Sequence, residues 1–267
     1  MIDLSICLPA IRPGYWVRLY NSFVEACTKY SFELVFISPY DLPDLLKDKP
    51  NIKHLKSYAT SVRSAMEGSL ICEGRLIAVP ADDGHAFPGS LDASIELMDK
   101  SSDQDAIVLR YRESNDMKGP PMPLNYWTVQ GHRHLLRLGI PPNYKFFMQP
   151  LMSMEYFKAI GGWDCRFEHL AYAAHDLSYR IQRDGGNLHL SPLEVMNCSW
   201  TGGKKKKSQR DDHAPIRESM IQHDEPLFNS IYSKKTGSGD GRTKINFDNW
   251  KQAPEVWHRR WPNGVPK

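Results

Sequence analysis

Arg75-Leu-Ile-Ala-Val-Pro-Ala-Asp-Asp-Gly84 is an apolar run that proline stops and that empties into two adjacent carboxylates and a glycine. A short continuous apolar run bounded by turn residues reads as a buried strand. The same grammar recurs upstream. Leu4-Ser-Ile-Cys-Leu-Pro9 reads as a first strand, Phe32-Glu-Leu-Val-Phe-Ile-Ser38 as a second and Asn51-Ile-Lys-His-Leu55 as a third. Between them, Trp16, Leu19, Tyr20, Phe23 and Cys27 fall at helical spacing, and residues 61–73 read as a helix with Ser61 as N-cap. Downstream, Leu91 to Met98 continues the alternation as a helix and Asp105 to Tyr111 as a fifth strand. Strands alternating with helices in this way predict an α/β domain around a largely parallel sheet with helices on both faces. In such sheets ligands bind beyond the C-terminal strand ends. Three polar clusters fall there: Pro9–Arg12, Ser38–Asp41 and Asp82–His85.

Composition narrows the class. The chain has 267 residues, 41% hydrophobic, 24% charged and 11% aromatic, which is core enough for a large domain and excludes wholesale disorder. No apolar run approaches the roughly 20 residues that span a bilayer. The opening segment lacks a basic region ahead of its apolar stretch, so no signal peptide is read there. The 5 cysteines are scattered without a C-x-x-C pair, which argues against a zinc knuckle or a disulfide framework and for a reducing, cytoplasmic setting. Net charge is +3, with the excess late in the chain: Lys204–Lys207 and Arg210, then Asp211, Asp212 and His213. A run like this is a solvated loop or, beside a cleft, a phosphate attractor.

Residues 113–150 are rich in proline and aromatics and read as a long crossing segment, with a short strand at Phe146–Pro150. Met154–Ile160 reads as a helix ended by Gly161-Gly162, and His175–Arg183 as another ended by Gly185-Gly186. Asn187–Ser191 and Glu194–Cys198 read as two short strands; Arg217–Tyr232 is amphipathic but interrupted by Pro226. From Lys234 onward, glycines and spaced tryptophans suggest an extended tail.

Two constellations carry chemistry. Asp82-Asp83 at a strand end is either an acidic turn or an oxygen-ligand site for Mg2+ or Mn2+, which take one or two carboxylates plus substrate phosphates. Asp176, at the start of its expected helix, either complements the helix dipole or stands as a general base, with Arg180 one turn on to orient it or to bind phosphate. Tyr126, Trp127 and Trp200 offer aromatic faces for an acceptor wall.

The ordered set Leu8-Pro-Ala-Ile-Arg-Pro13, Asp82-Asp83 with Pro88 and Leu91, Gly161-Gly-Trp-Asp164, and His175-Asp-Leu-Ser-Tyr-Arg180 resembles the family 2 nucleotide-sugar glycosyltransferases of the GT-A fold. The likeness spans roughly residues 4–200. It implies a nucleotide site at Pro9, Ala10, Arg12, Ser38 and Arg63, and a divalent cation on Asp83 with Asp82 toward ribose or water. The family's Asp-x-Asp is Ala81-Asp-Asp-Gly84 here, and its Glu-Asp dyad is His175-Asp176, which implies Asp176 as base with His175 beside it. Arg180 is then a donor contact. Lys204 and its neighbours occupy the place of a loop closing over the diphosphate, and His213 that of a third metal ligand. The co-substrate implied is a nucleotide-diphosphate sugar, UDP-sugar favoured, transferred with inversion to a saccharide, lipid-linked or nucleic-acid acceptor.

The domain expected is thus a GT-A-like unit over residues 1–232, with a nucleotide half at 1–112, an acceptor half at 113–232 and an extension at 233–267. Two rivals remain. A nucleotidyltransferase is disfavoured because Pro9–Tyr15 is not a Gly-rich basic loop; a non-catalytic nucleic-acid binder would use the lysine run and the aromatics.

Overall fold

The strand β1 (Leu4–Pro9) turns Leu4, Ile6 and Leu8 to one side and Cys7 to the other, and both sides are buried. That two-sided burial is why its sequence is almost continuously apolar. In the computed structural model, which describes residues 2–113, 133–137, 140–198, 214–233 and 242–265, β1 is the centre of the sheet's N-terminal strands.

It pairs in parallel with β2 (Phe32–Ser38) on one side and β4 (Leu76–Ala78) on the other, and β3 (Ile52–Lys56) extends the sheet beyond β2. The connecting helices are α1 (Pro13–Ala26), the single turn α2 (Asp44–Lys47) and α3 (Ser61–Ile71). Pro13 opens α1, where its missing N–H costs nothing. Thr60, not Ser61, caps α3, accepting from the Arg63 N–H at 3.2 Å. A Cβ on Gly68 of α3 would collide with Cys7 and Ile37, so glycine here lets α3 lie flat on the sheet.

The rest of the sheet is mixed. Next come β5 (Gly84–Ala86), α4 (Ser90–Met98), β6 (Ala106–Glu113), α5 (Arg133–Arg137), β7 (Pro150–Ser153), α6 (Met154–Ala159), α7 (Leu170–Arg183) and β8 (Leu188–Cys198). The full order is β3-β2-β1-β4-β7-β6-β8-β5. β7 runs antiparallel to both β4 and β6, β6 is parallel to β8, and β5 is antiparallel to β8. Helices α1 and α4 pack their apolar faces on one side with Leu4, Ile6 and Leu8; α3 and α7 cover the other with Cys7, Val35 and Ile37.

Other sequence expectations shift, the helix expected from His175 beginning at Leu170 among them. The strand expected at Phe146–Pro150 begins only at Pro150, the first-residue position where proline is tolerated. The two short strands expected at 187–198 are one strand with a register shift opposite Arg110. The expected interruption at Pro226 is a π-helical turn, Met220–Asp224, after which Pro226 sits in the first turn of a helix, Glu225–Tyr232. The tail is not extended over 242–265. It forms a 3-10 helix, Phe247–Gln252, and packs Phe247 and Trp250 on the core, because its aromatics have a surface to bury against.

Gly161 and Gly162, after α6, have φ of 94° and 62°, and the tail presses on the first of them through Ile245. Among the described residues, no helix is long and apolar enough to cross a membrane, and all five cysteines are free and buried.

Candidate active site

The C-terminal ends of β1, β2 and β4 open onto a cleft of about 520 Å3. Pro9, Ala10, Ile11 and Arg12 line it from β1, Ile37 and Pro39 from β2, and Val79 to Asp83 from β4. Of the three polar clusters singled out at these strand ends, Pro9–Arg12 and Asp82-Asp83 therefore meet in one space, while Ser38–Asp41 contributes only Pro39.

Asp82 organises this rim. It is 4% exposed, and its carboxylate accepts from the Ile11 and Arg12 N–H groups at 2.7 and 2.9 Å and from the Arg12 guanidinium. The loop leaving β1 is thereby tied to the loop leaving β4, 70 positions away. Asp83 lines the cleft with Oδ2 3.9 Å from Arg12 Nη1. Arg12 thus stands between the two carboxylates.

The opposite rim comes from α7 and the loop before it. Asp224, in the π-helical turn, is wholly buried and accepts from the Glu168 and His169 N–H groups at 2.9 and 2.8 Å. Burial raises the Asp224 carboxyl above its ordinary value, opposed by these bonds and by His223. His169 caps α7, its Nδ1 accepting from the Ala171 N–H at 3.2 Å. A neutral ring that accepts at Nδ1 carries its proton on Nε2, so His169 is a hydrogen-bond donor, not a base.

The tail closes the third side. Tyr58 and Val256 form a parallel bridge, the Trp257 N–H donates to the Tyr58 carbonyl at 2.8 Å, and Trp261 meets the Tyr58 ring edge-on at 5.8 Å. Glu168 receives Trp257 Nε1 at 3.1 Å and Arg259 Nε at 2.8 Å. The segment is therefore fastened to both rims, and Trp257, Arg260 and Trp261 line the cleft between them.

Other residues singled out from sequence lie elsewhere. Ser38 is wholly buried, accepting from the Tyr40 N–H at 2.9 Å, and it supports the cleft floor without lining it. Arg63 does not line the cleft either; it pairs with Glu67 at 2.8 Å, donates to the Ala253 carbonyl and lies over Trp250, so it anchors the tail. Lys204 and His213, with Tyr126, Trp127 and Trp200, lie outside the described residues.

Asp176 requires a correction. It is wholly buried in α7 and absent from the cleft lining. Its Oδ2 accepts from Arg180 Nε at 2.8 Å, and its Oδ1 from Tyr232 Oη at 2.5 Å and Arg242 Nη2 at 2.9 Å. Arg242 also pairs with Asp164 of the Gly-Gly-Trp-Asp motif. Arg180 also donates from Nη1 and Nη2 to the Ile160 and Gly162 carbonyls at 2.8 and 2.6 Å, closing the end of α6; wholly buried and absent from the cleft lining, it does not reach phosphate. Burial raises the Asp176 carboxyl, opposed by Arg180. A carboxylate sealed from the cleft with both oxygens occupied cannot collect a proton from a bound nucleophile. His175 is packed among Phe146, Tyr172 and Phe228, also away from the cleft lining.

Sequence reasoning missed His169, Gln149, Tyr111, Cys198 and the Trp257–Trp261 segment. Only the last carried a signal: aromatics interleaved with His258, Arg259 and Arg260 in Trp-His-Arg-Arg-Trp.

Scans of the sequence against protein-family models and against curated proteins find no match. Solved structures do resemble the fold. The crystal structure of Staphylococcus aureus TarS residues 1–349 in complex with UDP matches with a TM-score of 0.54 at 12% identity, over 79% of this chain and 69% of that one. The same TarS fragment without a named ligand matches with a TM-score of 0.53 at 11% identity over 90% and 77%. Its complex with UDP-GlcNAc gives 0.50 at 14% identity over 76% and 60%. The chain has the GT-A glycosyltransferase fold.

Proposed function

We propose that the cleft binds a nucleotide-diphosphate sugar, with UDP as the favoured nucleotide, and that the chain transfers the sugar to an acceptor hydroxyl. The observation that carries this reading is the meeting of Arg12, Asp82 and Asp83 in one cleft beyond the ends of β1, β2 and β4, in a fold shared with a protein crystallised with UDP and UDP-GlcNAc. The tail supports it, since Tyr58, Trp257 and Trp261 offer ring surface on the β2–β3 side for a nucleobase.

The chain's own residues would act as follows. Asp82 holds the β1–α1 loop so that the Arg12 guanidinium stays in the cleft. Arg12, Arg260 and the Nε2 donor of His169 supply positive charge and hydrogen bonds where the diphosphate departs. The tail excludes water from the bound donor. Attack by the acceptor oxygen on the anomeric carbon breaks the bond to the diphosphate, which leaves as the nucleoside diphosphate while the hydroxyl proton passes to it or to solvent. The attack inverts the configuration, the outcome implied by the family resemblance.

The residues divide on the cation that the resemblance implies. Asp82 does not fit, because both of its oxygens already accept from Ile11 and Arg12. Asp83 fits: it lines the cleft, and a Mg2+ or Mn2+ needs only one or two protein carboxylates beside substrate phosphates. Among the described residues no group of three potential ligands assembles, so Asp83 would hold the ion with the diphosphate itself. When bound, the ion would neutralise charge on the leaving diphosphate.

The acceptor class is read only from the family likeness, as a saccharide or lipid-linked hydroxyl. The function is tested by titrating UDP, GDP and their sugars into the protein with Mn2+ or chelator, and by assaying nucleotide release with candidate acceptors. Millimolar or tighter binding of one sugar nucleotide supports the reading. A flat response to every nucleotide, alongside salt-sensitive binding of oligonucleotides, sinks it.

A further inference from the structure

β7 runs antiparallel to β4, so the residue that enters β7 emerges at the same sheet edge as the residues that leave β4. That residue is Gln149. The Leu109 N–H donates to its carbonyl at 2.9 Å, and the Val79 N–H donates to the next carbonyl, Pro150, at 3.2 Å. Gln149 lines the cleft a single strand step from the run carrying Asp82 and Asp83.

The side chain is 5% exposed, and its amide is held at one end, where Nε2 donates to Cys198 Sγ at 3.4 Å. Its other end, Oε1, is buried and receives no hydrogen bond among the described residues. A buried carbonyl without a donor is costly, and in a residue that lines a cleft a ligand's hydroxyl or N–H is one way to satisfy it. Val79, Met148 and Cys198 are its neighbours on that wall and bring apolar surface.

The sheet order says which part of a donor would reach it. The ring surfaces of Tyr58, Trp257 and Trp261 lie at the β2–β3 side, Asp82 and Asp83 follow β4, and Gln149 precedes β7. From β2 to β7 is three strand steps, about 14 Å at the usual strand spacing. A sugar nucleotide laid with its base at the first and its diphosphate at the second places its hexose at the third.

We propose that Gln149 is a specificity-determining contact for the transferred sugar, its Oε1 accepting from a hydroxyl or acetamido N–H of the hexose. This rests on the donor-binding reading above and adds a residue and a chemistry to it. A buried acceptor left unmet rejects a ligand that lacks the matching donor, so the contact discriminates among sugars as well as holding them.

The test is calorimetric titration of UDP, UDP-glucose and UDP-GlcNAc into the wild type and Gln149→Leu. The wild type is expected to bind one UDP-sugar more tightly than UDP. Gln149→Leu is expected to lose about tenfold of that sugar affinity while UDP binding stays within about twofold. Retained UDP binding also shows that the variant is folded; where Leu prevents folding, Gln149→Asn withdraws the acceptor by one methylene and is expected to show the same split. Wild-type sugar affinity in either folded variant overturns the proposal and leaves the donor reading intact. So does a wild type that binds UDP and every UDP-sugar equally. A wild type that binds neither UDP nor any UDP-sugar overturns the proposal, and one that also binds no GDP or GDP-sugar overturns both.

Discussion

Asp176 and Arg180 stand one turn apart on α7, both wholly buried, joined at 2.8 Å. In sequence the pair resembles an ordinary helix-surface ion pair. In the fold it joins α7, the glycine turn after α6, the Tyr232 helix and the tail through Arg242.

Replacing Asp176 with Asn therefore leaves the buried Arg180 guanidinium without its carboxylate. The expected cost is about 3–5 kcal/mol of stability, read as a lowered urea midpoint. An unchanged midpoint with transfer abolished would contradict this and return the residue to the chemistry.

Divalent ions act through Asp83 if the donor reading holds. Chelator is expected to lower sugar-nucleotide affinity, and Asp83→Asn to lower it by a similar factor. Chelator then adds little to the variant, because the two changes remove the same interaction. Additive losses in the double perturbation would place the ion elsewhere.

Trp261→Ala removes an edge-on partner of Tyr58, an aromatic pair worth about 0.5–1.5 kcal/mol beyond its buried area. Nucleotide affinity is expected to fall about fivefold, with the melting temperature shifted by only a few degrees. The measurement is a pair of nucleotide titrations with matched melting curves; unaltered affinity would remove the tail from the binding wall.

Asp105 ties the start of β6 to β8. Burial alone would raise its carboxyl, but the Asn187 N–H at 2.7 Å, His189 at 3.0 Å and the Ser102 N–H at 3.1 Å outweigh that and hold it below the ordinary 3.8. A carboxylate depressed by folding adds stability above its unfolded value, and that stability drains as pH falls through the lower folded value. Acid titration of the unfolding free energy below about pH 4 is expected to be shallower in Asp105→Asn than in the wild type. Matching slopes would show that the clamp carries no charge-dependent stability.

The N-terminal strands were readable because β1, β2 and β4 are buried on both faces, which leaves unbroken apolar runs such as Leu34–Ile37. That put Arg12, Pro39 and Asp83 at strand ends, and topology alone said they would meet. β5 was not readable, since Gly-His-Ala carries no period and exists only because Cys198, Asn197 and Met196 lie opposite. The role of Asp176 was hidden for a related reason: its environment is set by Arg242, 66 positions later, and no local pattern encodes that pairing. Gln149 was hidden because a single amide before a proline has no spacing to detect.

One wall of the cleft is contributed by Trp257, Arg260 and Trp261, while its floor belongs to residues before 84. The floor can therefore assemble during synthesis long before the enclosure exists. A nascent chain, or one clipped ahead of Val256, would present an open trough instead of a binding chamber. Enclosure of the cleft thus depends on this one segment, which acts as its latch.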